Sequence, residues 1–261
     1  MGKCSIVTGA ASGLGLELAR LLAADGYQVC LVDYNREGVL QAGQEIGDEF
    51  GVPVETHVID LGLPGAAERL WSELGPRPVD VLVNNAGFGL YGPFAETDWK
   101  KEESMLHLHV LTLTHLTKLV LAEMLNAGSG RILNVSSLAA FQPGPLMSIY
   151  YASKAYILSF SEALANELKG SGVTVTLLAP GWFRTNFQKT TAINSNVEES
   201  RARLHTATAQ KVAKKGYRAM MQGKVYVIPG LANKLMATAP RIIPRRAMTS
   251  IIRRIQERLR K

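Results

Sequence analysis

Ser5-Ile6-Val7-Thr8-Gly9-Ala10-Ala11-Ser12-Gly13-Leu14-Gly15 runs from a short apolar strand pattern straight into a glycine-rich turn. A helical pattern follows at once, with Leu14, Leu18, Leu21 and Leu22 on its apolar side and an end near Gly26. A glycine turn between a strand and a helix lets backbone N–H groups approach a pyrophosphate at the positive end of the helix. The spacing is TGxxxGxG, which differs from the GxGxxG dinucleotide fingerprint. A second strand, Tyr27 to Val32, ends at Asp33. An acid at that tip can accept hydrogen bonds from both hydroxyls of an adenosine ribose. The order strand, turn, helix, strand, acid predicts a nucleotide-binding α/β domain.

Working outward, strand-like runs recur near residues 4–8, 27–33, 54–58, 79–84, 130–136, 173–179 and 225–228, with helical stretches between them. This alternation predicts a Rossmann-type, doubly wound, mostly parallel seven-stranded sheet with helices on both faces. Ligands of such sheets sit at the carboxyl ends of the strands. Residues 1–261 read as one domain, because no linker, repeat or low-complexity tract divides them and a chain of this length can bury a single large core. No apolar run is read as long enough to span a bilayer, and the first strand pattern begins too early for a signal peptide, so the expected location is cytoplasmic. Cys4 and Cys30 fall in the first two strands and read as small buried residues in a reducing compartment. The five histidines lack ligand spacing, so no metal site is expected.

Tyr150 and Lys154 are four residues apart, thirteen residues after Ser137, which closes the run Ile132-Leu133-Asn134-Val135-Ser136-Ser137. On a helix, positions i and i+4 share a face. A cation beside a phenol favours the phenolate and lowers its pKa from about 10, so tyrosine can act as an acid or base nearer neutrality. Ser137 can hydrogen-bond a substrate oxygen. A Tyr-x-x-x-Lys pair alone is weak, but Asn84-Asn85-Ala86-Gly87 ends the apolar run Val79 to Val83, and Pro180-Gly181 ends the run Val173 to Ala179.

With TGAASGLG, Asp60, NNAG, the NVSS serine, YYASK and PGWFRT in order, the chain resembles the short-chain dehydrogenase/reductase family over nearly its whole length. The resemblance implies that Tyr150 is the acid/base, that Lys154 lowers its pKa and binds the nicotinamide ribose, and that Ser137 orients the carbonyl or alcohol. It implies a cofactor site of Gly9, Ser12, Gly13, Leu14 and Gly15 at the phosphate turn, Asp60 and Leu61 at the adenine, and Asn85, Ala86 and Gly87 under the cofactor. Pro180, Gly181, Phe183 and Thr185 complete it, with Thr185 on the carboxamide. His109 falls where the family places an asparagine that holds a water in a proton relay to the lysine. A neutral imidazole donates and accepts, so His109 is expected in that relay; a charged one would repel Lys154. Homodimers or homotetramers through the long helices flanking the serine strand are implied in the same way. The segment from Val225 to Leu235 resembles a broad DltE-like subgroup.

Asp33 would repel an adenosine 2′-phosphate and Ser12 is neutral, which favours NAD(H), although Arg36 lies three residues past Asp33. The expected activity is NAD(H)-dependent interconversion of a secondary alcohol and a ketone on a fairly apolar small molecule. The alternatives are an NADPH-dependent reductase of acyl or steroid-like ketones and a nucleotide-sensing protein of weak turnover. Residues 186–222 are expected to form a substrate lid, and Trp182, Phe183 and Phe187 an apolar wall near the nicotinamide. The net charge of +7 resides in residues 241–261, while residues 1–240 sum to zero. There Ile251, Ile252, Ile255 and Leu259 suggest a basic amphipathic helix over residues 249–261, packed on the domain or lying on an anionic membrane. No nucleic-acid motif accompanies it.

Overall fold

The computed structural model describes residues 2–181 and 208–258. Seven strands form one sheet: β1 (Cys4–Thr8), β2 (Gln28–Asp33), β3 (Val54–Val58), β4 (Val81–Asn84), β5 (Gly130–Val135), β6 (Val173–Leu178) and β7 (Tyr226–Val227). Their order is β3-β2-β1-β4-β5-β6-β7, and every pairing is parallel. The expected seven strands are all present, within two residues of their predicted ends. The helices are α1 (Gly13–Ala24), α2 (Arg36–Phe50), α3 (Ala66–Leu74), α4 (Trp99–Leu106), α5 (Leu113–Ala127), α6 (Ser148–Glu167), α7 (Ala209–Met221), α8 (Leu231–Thr238) and α9 (Arg245–Glu257).

Side-chain alternation along the strands builds two cores. Val7, Val29, Leu31, Val81, Val83 and Leu133 point to one face, where Leu18 of α1, Ile46 of α2 and Val212 of α7 cover them. Ile6, Cys30, Val32, Leu82 and Ile132 point to the other, under Leu70 of α3 and Leu116 and Val120 of α5. Cys4 and Cys30 are both buried free thiols, as expected. The chain moves outward from β1 through β2 to β3, then restarts at β4 on the other side of β1. That reversal opens a crevice beyond the carboxyl ends of β1 and β4, where such folds bind ligands.

Two expectations need correction. Residues Trp99–Ala127 form one continuous helical stretch that, by length and composition alone, could cross a bilayer. Here it is a core element, because Met105, Leu116, Val120 and Met124 are buried. The basic C-terminal helix begins four residues earlier than expected, directly after Pro244, whose fixed φ suits a helix start. Its buried stripe is Met248, Ile252 and Gln256, while Ile251 and Ile255 are exposed, because a helix turns about 100° between successive residues. Leu259 and the rest of the tail lie outside the described residues, as do residues 186–207 of the expected lid; its far end, Ala209–Met221, is α7.

Candidate active site

The crevice is built by side chains that lock β1 to β4. Thr8 Oγ1 donates to Val83 O (3.2 Å) and accepts from the backbone N–H of Asn85 (3.0 Å) and Ala86 (3.1 Å). Asn85 Nδ2 donates to Thr8 O (2.9 Å) and Gly9 O (3.1 Å), fixing the first glycine of the turn. A Cβ on Gly15 would stand 2.1 Å from Gly9 O, so only glycine lets α1 start this close to the turn. Ser12 makes no side-chain cap and the first turn of α1 holds no acid, which leaves the positive helix end and its N–H donors for an anionic group. Asp33 closes the outer side, with Oδ2 accepting from Ala11 N (3.0 Å) and Oδ1 from Asn35 N (2.9 Å). Asp60 is exposed and accepts from Gly62 N (2.9 Å), while Leu61 beside it is buried. Pro180 O accepts from Leu138 N (3.0 Å), which ties the end of β6 to the serine turn, and Gly181 packs against Asn233. Phe183 and Thr185, with Trp182 and Phe187, lie outside the described residues. The bare turn, the open helix end and the acid at β2 fit a dinucleotide.

Ser137 follows β5 and caps a short helical turn, its Oγ accepting from Ala139 N (3.1 Å). Tyr150 and Lys154 both lie on α6, which Ser136 fastens to the serine strand by donating to Lys154 O (2.9 Å). The structure therefore brings the three sequence-predicted catalytic residues together. Lys154 is buried, its Nζ donating to Val135 O (3.1 Å) and standing 5.8 Å from the centre of the Tyr150 ring. Burial pushes the Lys154 pKa down to about 7. The Tyr150 pKa is pushed up to about 12, chiefly by burial; the hydrogen bond from Ser137 works the other way and Tyr151 adds to the rise. In the cofactor-free chain the phenol is therefore shifted up by its burial, opposite to the lowering by Lys154 that the sequence led one to expect.

His109 is fully buried and lies on a single π-helical turn, His107–Thr112, inserted between α4 and α5. Its Nε2 accepts from Phe88 N (3.3 Å), and its Nδ1 lies 2.9 Å from Ser153 Oγ. Ser153 spends its one O–H on Tyr150 O (2.8 Å), so Nδ1–H must be the donor to Ser153 and the ring is the neutral Nδ1–H tautomer. Burial, followed by the charge of Lys154, holds the His109 pKa well below its ordinary value. A Cβ on Gly87 would meet His109 Nε2 at 2.7 Å and Lys154 Nζ at 3.4 Å, so imidazole and amine converge on that glycine. The charged, repelling form considered from the sequence does not arise.

The mouth of the site draws on distant segments. A narrow recess beside Tyr150 is lined by Leu90, Phe94, Glu102, Met105 and Met147 among others. Gln256 on α9 reaches the same region: its backbone O accepts from Tyr91 OH (2.7 Å), and its Nε2 donates to Tyr151 OH (2.9 Å) and approaches Met147 Sδ (3.7 Å). Leu146, three residues before Ile149, takes φ 66°, a left-handed conformation uncommon for leucine, and its carbonyl is held by Gly92 N (2.9 Å). Sequence reasoning missed Thr8, Ser153 and Gln256. Thr8 and Ser153 sit inside motifs read for their neighbours, whereas nothing local marks Gln256, whose partners are more than 100 residues away.

Fold and site together define a Rossmann-type α/β protein in which a serine, a tyrosine and a lysine meet beyond the carboxyl ends of the strands. The chain belongs to the short chain dehydrogenase family, whose profile matches residues 3–196. Its relatives include a ketoacyl reductase of Nostoc, 33% identical over 185 residues covering 69% of this chain and 63% of that protein. Another is the very-long-chain 3-oxoacyl-CoA reductase of Anas platyrhynchos, 34% identical over 194 residues covering 72% of this chain and 62% of that protein. The match thus spans a little over three fifths of these relatives' length. Among solved structures, a short-chain dehydrogenase from Sphingobium yanoikuyae in complex with NADPH superposes with TM-score 0.80 at 28% identity, covering 90% of this chain and 91% of that one. A 7β-hydroxysteroid dehydrogenase shares the fold, with TM-score 0.87 at 23% identity and 96% coverage of both chains.

Proposed function

We propose that this chain is an NAD(H)-dependent oxidoreductase that interconverts a secondary alcohol and a ketone on a fairly apolar small molecule. The observation that carries the cofactor choice is Asp33: its carboxylate is fixed by Ala11 N and Asn35 N at the rim of the phosphate turn. A second negative charge on the adenosine ribose would face it at close range, whereas ribose hydroxyls can donate to its remaining lone pairs.

The bound nicotinamide supplies the hydride acceptor or donor. In reduction Ser137 would hold the substrate oxygen and the neutral Tyr150 Oη–H would give it a proton; in oxidation Tyr150 would first release its own proton to solvent, and the resulting phenolate beside Lys154 would take the proton of the substrate hydroxyl. Lys154 is desolvated beside Tyr150, so each unit of charge placed near it acts in a medium of low dielectric. His109 and Ser153 hold the Tyr150 backbone against the Gly87 loop, and this is how His109 takes part, as a neutral partner of the relay. The recess mixes Thr97, Glu102 and Ser148 with Leu90, Phe94, Met105 and Met147, and the latter group supports a fairly apolar substrate. Leu111 and Tyr156, exposed on the helices flanking the serine strand, suit homo-oligomer contacts.

An NADPH-dependent reductase of acyl or steroid-like ketones is the second reading. It is supported by Arg36, exposed at the start of α2, by the relative solved with NADPH, and by the ketoacyl and 3-oxoacyl-CoA reductases among the relatives. It also accommodates the DltE-like subgroup resemblance. Paired fluorescence titrations with NADH and NADPH decide between the two. The first reading expects tighter NADH binding by about tenfold or more, a preference that Asp33→Ala relaxes. Tighter NADPH binding, or an unchanged ratio in Asp33→Ala, removes Asp33 from cofactor choice; binding of neither removes the oxidoreductase reading.

A further inference from the structure

Beyond the nucleotide site, the most unusual surface is the outward side of α8 and α9. Leu231 and Leu235, one helical turn apart on α8, are 76% and 65% exposed, and Ile242 in the following turn is 85% exposed. Met236 stands beside them and is also exposed. Ala237 is buried, so α8 packs inward through a small side chain and holds its large aliphatic ones outward. Lys234, Arg241, Arg245 and Arg246 are interleaved with them and exposed. Residues 200–256 contain no aspartate or glutamate at all. Among the described residues, Arg253 is the only cation of α8, α9 and the turn between them that has an acidic partner, Glu257.

We propose that this face docks on an anionic phospholipid bilayer. Bulky aliphatic groups standing in water are unfavourable, and cations without counter-charges attract an anionic surface. A bilayer interface satisfies both at once, taking Leu231, Leu235 and Ile242 below the headgroups while the flanking lysine and arginines meet the phosphates. A second copy of the chain fits poorly, because a two-fold contact would set this cationic patch against itself. A nucleic acid would neutralise the cations but leave the aliphatic side chains in water, and the exposed large residues of α8 and its turn include no aromatic platform for bases. The inner sides of the same helices pack on the segments that frame Tyr150: Ala237 in the cluster with Leu138, and Gln256 on Tyr91, Met147 and Tyr151. Docking therefore places the helices that pack on the segments framing Tyr150 at the membrane, where a lipophilic substrate is concentrated.

Co-sedimentation of the full chain with vesicles tests this independently of any turnover. Vesicles of phosphatidylcholine with about 30% phosphatidylglycerol should retain the protein at least about tenfold better than phosphatidylcholine alone, and less so as salt rises. Leu235→Ser/Ile242→Ser keeps every charge and should lose about tenfold of that partitioning. Arg245→Ser/Arg246→Ser should lose as much through charge, whereas Lys100→Glu/Lys101→Glu, on exposed positions of α4, should stay within about twofold. NADH titration verifies that each variant is folded. No sedimentation with anionic vesicles overturns the proposal, as does full binding by the serine variants. Equal loss in the α4 variant overturns it too, since net charge alone would then act. Retention on poly(U) with none on vesicles would hand the face to nucleic acid instead.

Discussion

Lys154 carries a primary amine where almost no water reaches it, and the protein bears that cost at the centre of its site. Its pKa is depressed from 10.5 to about 7, with burial as the cause. The unfolded chain keeps this proton up to about pH 10 while the folded chain releases it near neutrality, so between these limits the unfolded state binds more protons. The penalty is therefore full below about pH 7 and fades as pH rises through that window. Lys154→Met keeps most of the apolar stem, and at about 1.4 kcal/mol per pKa unit it should recover a few kcal/mol, less about 1 for the donor lost to Val135 O. Melting of the cofactor-free variant should rise by several degrees at about pH 6 and by little at about pH 10, with turnover abolished. A lower melting temperature at both pH values would show that burial does not penalise this lysine. The positions of Ser137, Tyr150 and Lys154 were legible because helix periodicity and motif spacing are written in the chain. The direction of the Tyr150 shift was not, because it is set by how much water the folded surroundings exclude.

Among elements, the seven strands could be read almost to the residue, since two-sided burial leaves each a compact β-branched or apolar run bounded by glycine, asparagine or charge. The π-helical turn at His107–Thr112 could not. Helical pattern reading assumes one period, and a single turn with an extra residue leaves the flanking apolar spacing intact on both sides. The inserted turn sets His109 between Phe88 N and Ser153, two contacts that tie the Gly87 loop to the helix bearing Tyr150. His109→Ala removes an acceptor and a donor whose partners are held in low dielectric, at a cost of about 1–3 kcal/mol. Turnover should fall about tenfold or more and its pH profile should shift, while NADH affinity changes by less than about threefold. If turnover and pH profile both match the parent chain, His109 is only a packing residue and the relay runs without it.

At the scale of the whole molecule, the catalytic mouth is closed by a helix that the chain reaches about 100 residues after Tyr150. The sequence showed that the last segment is basic and amphipathic; which side turns inward depended on partners remote in the chain, and these select the stripe ending at Gln256. Gln256 meets Met147 and Tyr151, which flank Tyr150 on both sides in sequence, and its backbone meets Tyr91 on the loop after Gly87. Its Oε1 is buried with no hydrogen-bond partner among the described residues. Gln256→Leu therefore gives up the bond to Tyr151 but also relieves an unmet acceptor, so stability should change by no more than about 1 kcal/mol. The backbone bond from Tyr91 survives the substitution. What changes is the rigidity of the wall opposite the catalytic tyrosine. Across a series of ketones of increasing bulk, the variant should show KM changes of about tenfold that depend on substrate size, with kcat altered by less than about threefold. A uniform drop in kcat at constant KM would place Gln256 in support of Tyr150 itself, and an unchanged size dependence would remove α9 from the substrate wall.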